Sequence, residues 1–181
     1  MKASNNPTVI ISGFSGIGKT FLAEKYCNVL DLESSPFFWD YSSTNFDCDI
    51  EKIKGTGGRK RNLKYPQNFI DEIKSNMTKY DYILVWAHAD EAVPHYNNHN
   101  IILDAYLIPS LEALEEYFDR YRQRGNTEEY LKVVLDRYNF QFERRHEISK
   151  NIVILEKGET LESYLLENQE KYPNLIPRIK K

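Results

Sequence analysis

Two hydrophobic periods alternate along the chain. Thr8-Val9-Ile10-Ile11-Ser12 is a short β-branched run that predicts a strand, and it leads directly into a glycine-rich turn. After the turn, Phe21, Leu22, Tyr26, Val29 and Leu30 recur at helical spacing, while Val29–Leu32 doubles as a second strand close behind that helix. Periodicity is lost between Glu33 and Tyr65, a stretch that carries Gly55, Gly57 and Gly58 beside Arg59, Lys60 and Arg61. Residues 33–65 therefore form an expected insert. Pro66 suits the first turn of a helix whose apolar face is Phe69, Ile70, Ile73 and Met77. Asp81 to Ala87 is too apolar for an exposed edge and fits a strand buried on both faces.

The second half continues the alternation. A short helix over Asp90–Asn98 leads to a strand over Ile101–Ile108, interrupted by Asp104 and stopped by Pro109. Ser110 can cap the next helix, with Leu111, Leu114, Tyr117, Phe118 and Tyr121 as its stripe and Gly125 as its stop. Thr127 caps another, through Tyr130, Leu131, Val134, Leu135 and Tyr138. Ile152–Leu155 reads as the last strand and Thr160–Gln169 as a closing helix; beyond Tyr172 a short basic tail is expected to fray. The expectation is one α/β domain over 1–181. It has three layers, a mostly parallel five-stranded sheet with helices on both faces, and a helical lid at about 120–146.

Composition narrows the class without naming the chemistry. The 181 residues are 41% hydrophobic and 28% charged, which excludes a collagenous or largely disordered chain. The net charge of −3 gives no overall pull on nucleic acid or anionic membrane. Cys27 and Cys48 lack metal-ligand spacing and are too few to staple the domain, so a reducing, cytoplasmic setting is expected. No run approaches the ~20 apolar residues of a membrane span. The 13 Tyr and 9 Phe fit either a stacking surface or a tyrosine-rich core.

The chemistry lies in Gly13-Phe14-Ser15-Gly16-Ile17-Gly18-Lys19-Thr20, which satisfies every fixed position of G-x-x-x-x-G-K-[ST]. Chance gives such a match in roughly 0.6% of chains this long. Its place between a strand and a helix is what the function needs: backbone N–H groups curl around a phosphate and the glycines allow close approach. Lys19 would reach the β- and γ-phosphates and the Thr20 hydroxyl would bind Mg²⁺, so ATP and Mg²⁺ are the implied ligands. The glycine order is the reverse of a dinucleotide fingerprint.

With that motif in place, the chain resembles P-loop nucleotide and small-molecule kinases, in the loop at 13–20, the Asp31-Leu32-Glu33 turn, the strand at 81–87 and the Arg-bearing helix at 120–124. More narrowly, residues 29–35, 80–85 and 120–126 look similar to phage or prophage adenylate-kinase-like and deoxynucleoside-monophosphate-kinase-like proteins, over about residues 8–156. The resemblance implies that Arg120 lies against the nucleotide base and Arg124 clamps the transferring phosphate. Four-residue spacing puts both on one helix face, with Arg122 pointing elsewhere. Arg137, Arg144 and Arg145 are read as surface residues, although the resemblance offers them as a second lid edge.

Asp31 and Glu33 follow the second strand on the side where open α/β sheets bind ligands, able to accept a hydroxyl proton or hold Mg²⁺ through water. They serve equally as turn and cap residues before Ser34-Ser35-Pro36. In the insert, Arg59 and Arg61 are candidates to hold an acceptor phosphate, with Trp39 or Phe38 stacking on its base; the alternative is a solvated loop over a satellite apolar cluster. Asp90 is the metal-side acid nearest the strand at 81–87, with His88 beside it, because no acid lies inside the run itself. His95 and His99 share a helix face without a third ligand. The leading expectation is transfer from ATP to a nucleoside monophosphate. The alternatives are a hydroxyl acceptor, on a metabolite or a nucleic-acid 5′ end, and a nucleotide-binding module without efficient transfer.

Overall fold

The computed structural model describes residues 6–40, 60–85 and 94–178. Within them the strand-period segments pair into one sheet: β1 (Val9–Gly13), β2 (Val29–Leu32), β5 (Tyr82–Val85), β6 (Ala105–Pro109) and β7 (Ile152–Leu155), in the order β2-β5-β1-β6-β7 with every pair parallel. A second ribbon pairs the two-residue strands β3 (Trp39–Asp40) and β4 (Lys60–Arg61). The helices are α1 (Lys19–Lys25), α2 (Ser35–Phe38), α3 (Gln67–Asn76), α4 (Leu114–Gln123), α5 (Glu128–Glu143), α6 (Arg145–Ile148) and α7 (Leu161–Glu167), with a 3₁₀ turn at Asn97–His99. The chain is therefore the expected α/β fold. No described helix is long and apolar enough to cross a membrane.

Strand alternation sorts the core onto the two faces of the sheet. Ile10, Leu32, Ile83 and Val85 meet Phe69, Ile70 and Ile73 of α3 on one face. Ile11, Val29 and Leu84 meet α1, α4, α5 and α7 on the other, where Leu22, Tyr117, Tyr138 and Leu161 are buried. Most of the tyrosine excess is core: Tyr82, Tyr96, Tyr106, Tyr117 and Tyr138 are all nearly inaccessible. Because the order reverses at β1, the chain leaves that strand's carboxyl end toward one side and returns on the other, which opens a crevice there. The glycine-rich turn occupies it.

Several boundaries differ from expectation for physical reasons. The strand expected from Ile101 begins only at Ala105, because the Asp104 carboxylate takes the Ile10 N–H at 2.7 Å, where a neighbouring strand's carbonyl would stand. Ser110 accepts from Ala113 N–H at 3.3 Å and so caps a turn, the helix starting three residues later than Leu111. Thr127 and Thr160 both cap as expected, Thr160 in a reciprocal box with Ser163. Phe21 lies on the outer side of α1, 56% exposed, rather than in the core stripe.

The largest correction concerns the tail, whose residues 173–178 are tied down. Asn28, fully buried, donates from its carboxamide to the Asp81 carboxylate at 2.8 Å and to the Asn174 carbonyl, and accepts from Ile176 N–H at 3.0 Å. Cys27 N–H donates to Ile176, Arg178 N–H to Lys25, and the Tyr82 hydroxyl to Pro173. Residues 173–178 thus strap the junction of α1 and β2. Removing the Asn28 carboxamide leaves a buried carboxylate and tail backbone groups short of partners, so Asn28→Ala should cost about 2–4 kcal/mol. Arg178→Ala, which loses a bond to Ala23 from an exposed side chain, should cost under ~1 kcal/mol. Urea midpoints of the two variants test this; equal small shifts would show that Asn28 does not hold the tail.

Candidate phosphate-binding site

The turn between β1 and α1 is shaped by two glycines in particular. A Cβ at Gly13 would stand 2.1 Å from Ile17 Cδ1, so any larger residue there would force the buried Ile17 side chain to shift. Gly16 adopts φ +88°, and a side chain would also press on Tyr117. Inside the turn, Lys19 is 8% exposed and its ammonium donates to the carbonyls of Gly13 at 2.9 Å and Phe14 at 3.1 Å. Burial lowers its pKa to about 8; Asp31 and Glu33 oppose that shift, and the Arg124 guanidinium adds to it.

The next three carbonyls face outward. Ser15 accepts from the Tyr121 hydroxyl at 3.0 Å, Gly16 from the Arg120 guanidinium at 3.1 Å, and Ile17 from Leu161 N–H at 3.0 Å. With its carbonyls engaged in this way, the turn can present N–H groups to an anion. Arg120 sits over the Tyr117 ring at 4.6 Å, with Glu116 at 3.8 Å. It is thereby fixed against the turn. Arg124 ends α4 and is exposed, whereas Arg122 points elsewhere, as expected, binding Glu115, Asp119 and Glu128 within 2.9 Å.

Asp31 comes to the same place from β2. Its Oδ2 accepts from the Thr20 hydroxyl at 2.7 Å, and its Oδ1 is buried with no hydrogen-bond partner among the described residues. Burial raises its pKa above the ordinary carboxylate value, against the opposing effects of Thr20 and Lys19. The orphaned oxygen fits a missing polar group. By donating its proton to Asp31, the Thr20 hydroxyl keeps its lone pairs turned outward for a cation. Glu33 is exposed and its carboxylate is engaged by Ser35.

The insert's candidates divide. Trp39 pairs with Arg61 across the β3–β4 ribbon and packs edge-on against Phe38 at 4.7 Å, while the Arg61 guanidinium lies 5.4 Å from the centre of the same Phe38 ring. Phe38 itself belongs to the buried cluster with Tyr65 and Phe69. Arg59, Asp90 and His88 lie outside the described residues, and among the described residues no cluster of three His, Cys, Asp or Glu could hold a metal. Sequence reasoning missed Tyr121 and Leu161 as supports of the turn. Tyr121 was legible only as an apolar-stripe residue next to Arg120, and the backbone N–H of Leu161 carries no side-chain signal.

The sequence matches no protein-family model and no curated protein. Among solved structures, the fold is similar to that of a tunicamycin resistance protein from Deinococcus radiodurans, with a TM-score of 0.55 at 16% identity over 96% of this chain and 100% of that one. At that identity the likeness supports the overall fold alone.

A lysine with a pKa of about 8 makes anion affinity pH-dependent just above neutrality. Protonated below that value and neutral above it, Lys19 should bind ATP more weakly as pH rises through about 8, and Lys19→Gln should flatten that dependence. Titrations of ATP on either side of this pH at constant ionic strength measure the slope; an unchanged slope in Lys19→Gln would assign it to another group.

Proposed function

We propose that the chain is an ATP-dependent phosphotransferase whose acceptor is a hydroxyl group of a small organic molecule. The observation that carries this reading is the 2.7 Å contact between Thr20 and Asp31, whose second carboxylate oxygen has no partner among the described residues, beside the buried Lys19 ammonium. The turn binds the triphosphate, and Thr20 would hold Mg²⁺, which when bound neutralises phosphate charge. Lys19, joined by Arg124, stabilises the charge on the transferring phosphoryl group. The acceptor oxygen attacks the γ-phosphorus, the bond to the β-phosphate oxygen breaks, and ADP leaves. The hydroxyl proton passes to the Asp31 carboxylate, whose raised pKa makes it a better base than an exposed aspartate.

A second reading keeps the donor half and takes a nucleoside monophosphate as acceptor. It is favoured by Arg61, whose guanidinium lies 5.4 Å from the centre of the Phe38 ring, and by Trp39 opposite it in the ribbon, residue types that can hold a phosphate and a base. An acceptor phosphate is already ionised and needs no base, so the two readings part at Asp31. The structural neighbour's name adds tunicamycin to the compounds worth trying.

The test is ADP release from ATP and Mg²⁺ with a panel of nucleosides, nucleoside monophosphates, 5′-hydroxyl oligonucleotides and tunicamycin. Stimulation by a hydroxyl compound is expected. Stimulation by monophosphates alone would select the second reading, and no stimulation by any acceptor would leave a nucleotide-binding module without transfer. Lys19→Ala should abolish transfer while preserving the far-ultraviolet circular dichroism, and turnover at the original rate would sink the proposal. Asp31→Asn should lower kcat by about 100-fold or more and remove the acid limb of the pH profile for a hydroxyl acceptor. Arg124→Ala should lower kcat more than ATP affinity; equal losses would make it a binding residue.

A further inference from the structure

Tyr121 belongs to the apolar stripe of α4 and is buried, yet its hydroxyl donates to the Ser15 carbonyl at 3.0 Å. The peptide it holds has unusual freedom. Turning a peptide plane over changes ψ of the residue before it and φ of the residue after it, and here the residue after is Gly16, at φ +88°. Without a Cβ, Gly16 accepts either setting, so local sterics do not decide which way the Ser15–Gly16 peptide faces. The direction decides what an anion meets. In a trans peptide the C=O and N–H point oppositely, so a Ser15 carbonyl directed out of the turn directs the Gly16 N–H into it; turned over, the same peptide would present an oxygen to a phosphate.

The neighbouring peptides are held by other means. Gly16–Ile17 ends in a β-branched residue whose φ has far less latitude, and its carbonyl takes the Arg120 guanidinium at 3.1 Å. Ile17–Gly18 ends in a second glycine, at φ +100°, and its carbonyl takes the Leu161 N–H at 3.0 Å. The N–H groups of Gly16, Ile17 and Gly18 themselves donate to no acceptor among the described residues, which leaves all three for an anion. Of the two peptides that precede a positive-φ glycine, then, one is fixed by backbone and the other by a single side-chain hydroxyl. Burial raises the Tyr121 pKa, so that hydroxyl remains a donor across the range in which Lys19 titrates.

We propose that Tyr121 is a positioning residue for the triphosphate: its hydroxyl keeps the Ser15–Gly16 peptide from turning over and so aims the Gly16 N–H into the turn. The proposal rests on the phosphotransfer reading and adds to it a residue 106 positions from the peptide it controls. In Tyr121→Phe the ring and its packing stay and only the donor is lost. Both orientations of the peptide are then populated, the triphosphate binds one of them, and the apparent affinity falls by the fraction that remains competent.

The experiment compares the full chain with its Tyr121→Phe and Tyr138→Phe variants. Tyr138 is the control: its buried hydroxyl bonds the Pro109 carbonyl at 2.9 Å, so its loss removes the same kind of bond without touching the turn. Calorimetric titrations with ATP, and with tripolyphosphate, which has no base or sugar, are run in Mg²⁺. Tyr121→Phe should weaken both ligands by about three- to tenfold, and Tyr138→Phe by under about twofold, although urea midpoints fall similarly in the two variants. With ¹⁵N-labelled glycine, the Gly16 amide should move or broaden in unliganded Tyr121→Phe and return to its original position once tripolyphosphate saturates the turn, Gly18 moving little. Equal weakening by the two variants overturns the proposal, as does unchanged affinity in Tyr121→Phe or a Gly16 amide that does not respond to the substitution. If the unsubstituted chain binds neither ligand, the phosphotransfer reading falls and takes the proposal with it.

Discussion

A phosphate-binding turn must point its N–H groups inward, and so must dispose of its carbonyls. Here five successive carbonyls, from Gly13 to Ile17, all have donors. Lys19 serves the first two, Tyr121 and Arg120 the next two, and the backbone of Leu161 the last. Leaving any of them buried and unpaired would cost about 1–3 kcal/mol. The requirement explains why α4 and the start of α7 sit where they do. Both helices supply donors to a turn that lies far from them in sequence. Arg120 is correspondingly a scaffold of the turn in this structure, stacked on Tyr117 and tied to Gly16.

The glycine-rich turn was legible because its information is local. Eight consecutive residues fix the turn, and the strand and helix around it show in hydrophobic period alone. The Asp31–Thr20 contact was half legible: alternation put Asp31 at the ligand end of β2, but its partner follows from β2 lying beyond β5 in the sheet, a long-range fact. The tail was misread for the same reason. Its composition is that of a fraying end, and what holds it are bonds to buried Asn28, 146 residues from Asn174, and to Lys25, Cys27 and Tyr82. Ser110, Phe21 and the stretch before Ala105 were read with correct local rules that a tertiary contact or a neighbouring carboxylate overrode.

The two carboxylates after β2 look interchangeable in sequence, and the structure separates them. Asp31 is drawn under the turn, where burial and the Thr20 hydroxyl act on it in opposite directions; Glu33 is turned out to Ser35. Buried Lys19 and half-buried Asp31 thus moderate each other's charge, the lysine's pKa brought down by burial and partly restored by the acid. At neutral pH the lysine is still largely protonated, and an approaching anion holds its proton more firmly.

The side chains around the turn and the helices that brace it sit on different elements. Lys19, Thr20 and Asp31 are fixed by β1, α1 and β2, whose positions are set by sheet pairing and by the strap at Asn28. The bracing helices α4 and α5 are joined by a turn at Gly125 with φ +81° and fastened to the sheet through Tyr138, whose hydroxyl reaches the Pro109 carbonyl at 2.9 Å. Phe14 links the two, packing edge-on against Tyr138 at 5.6 Å while its carbonyl receives Lys19.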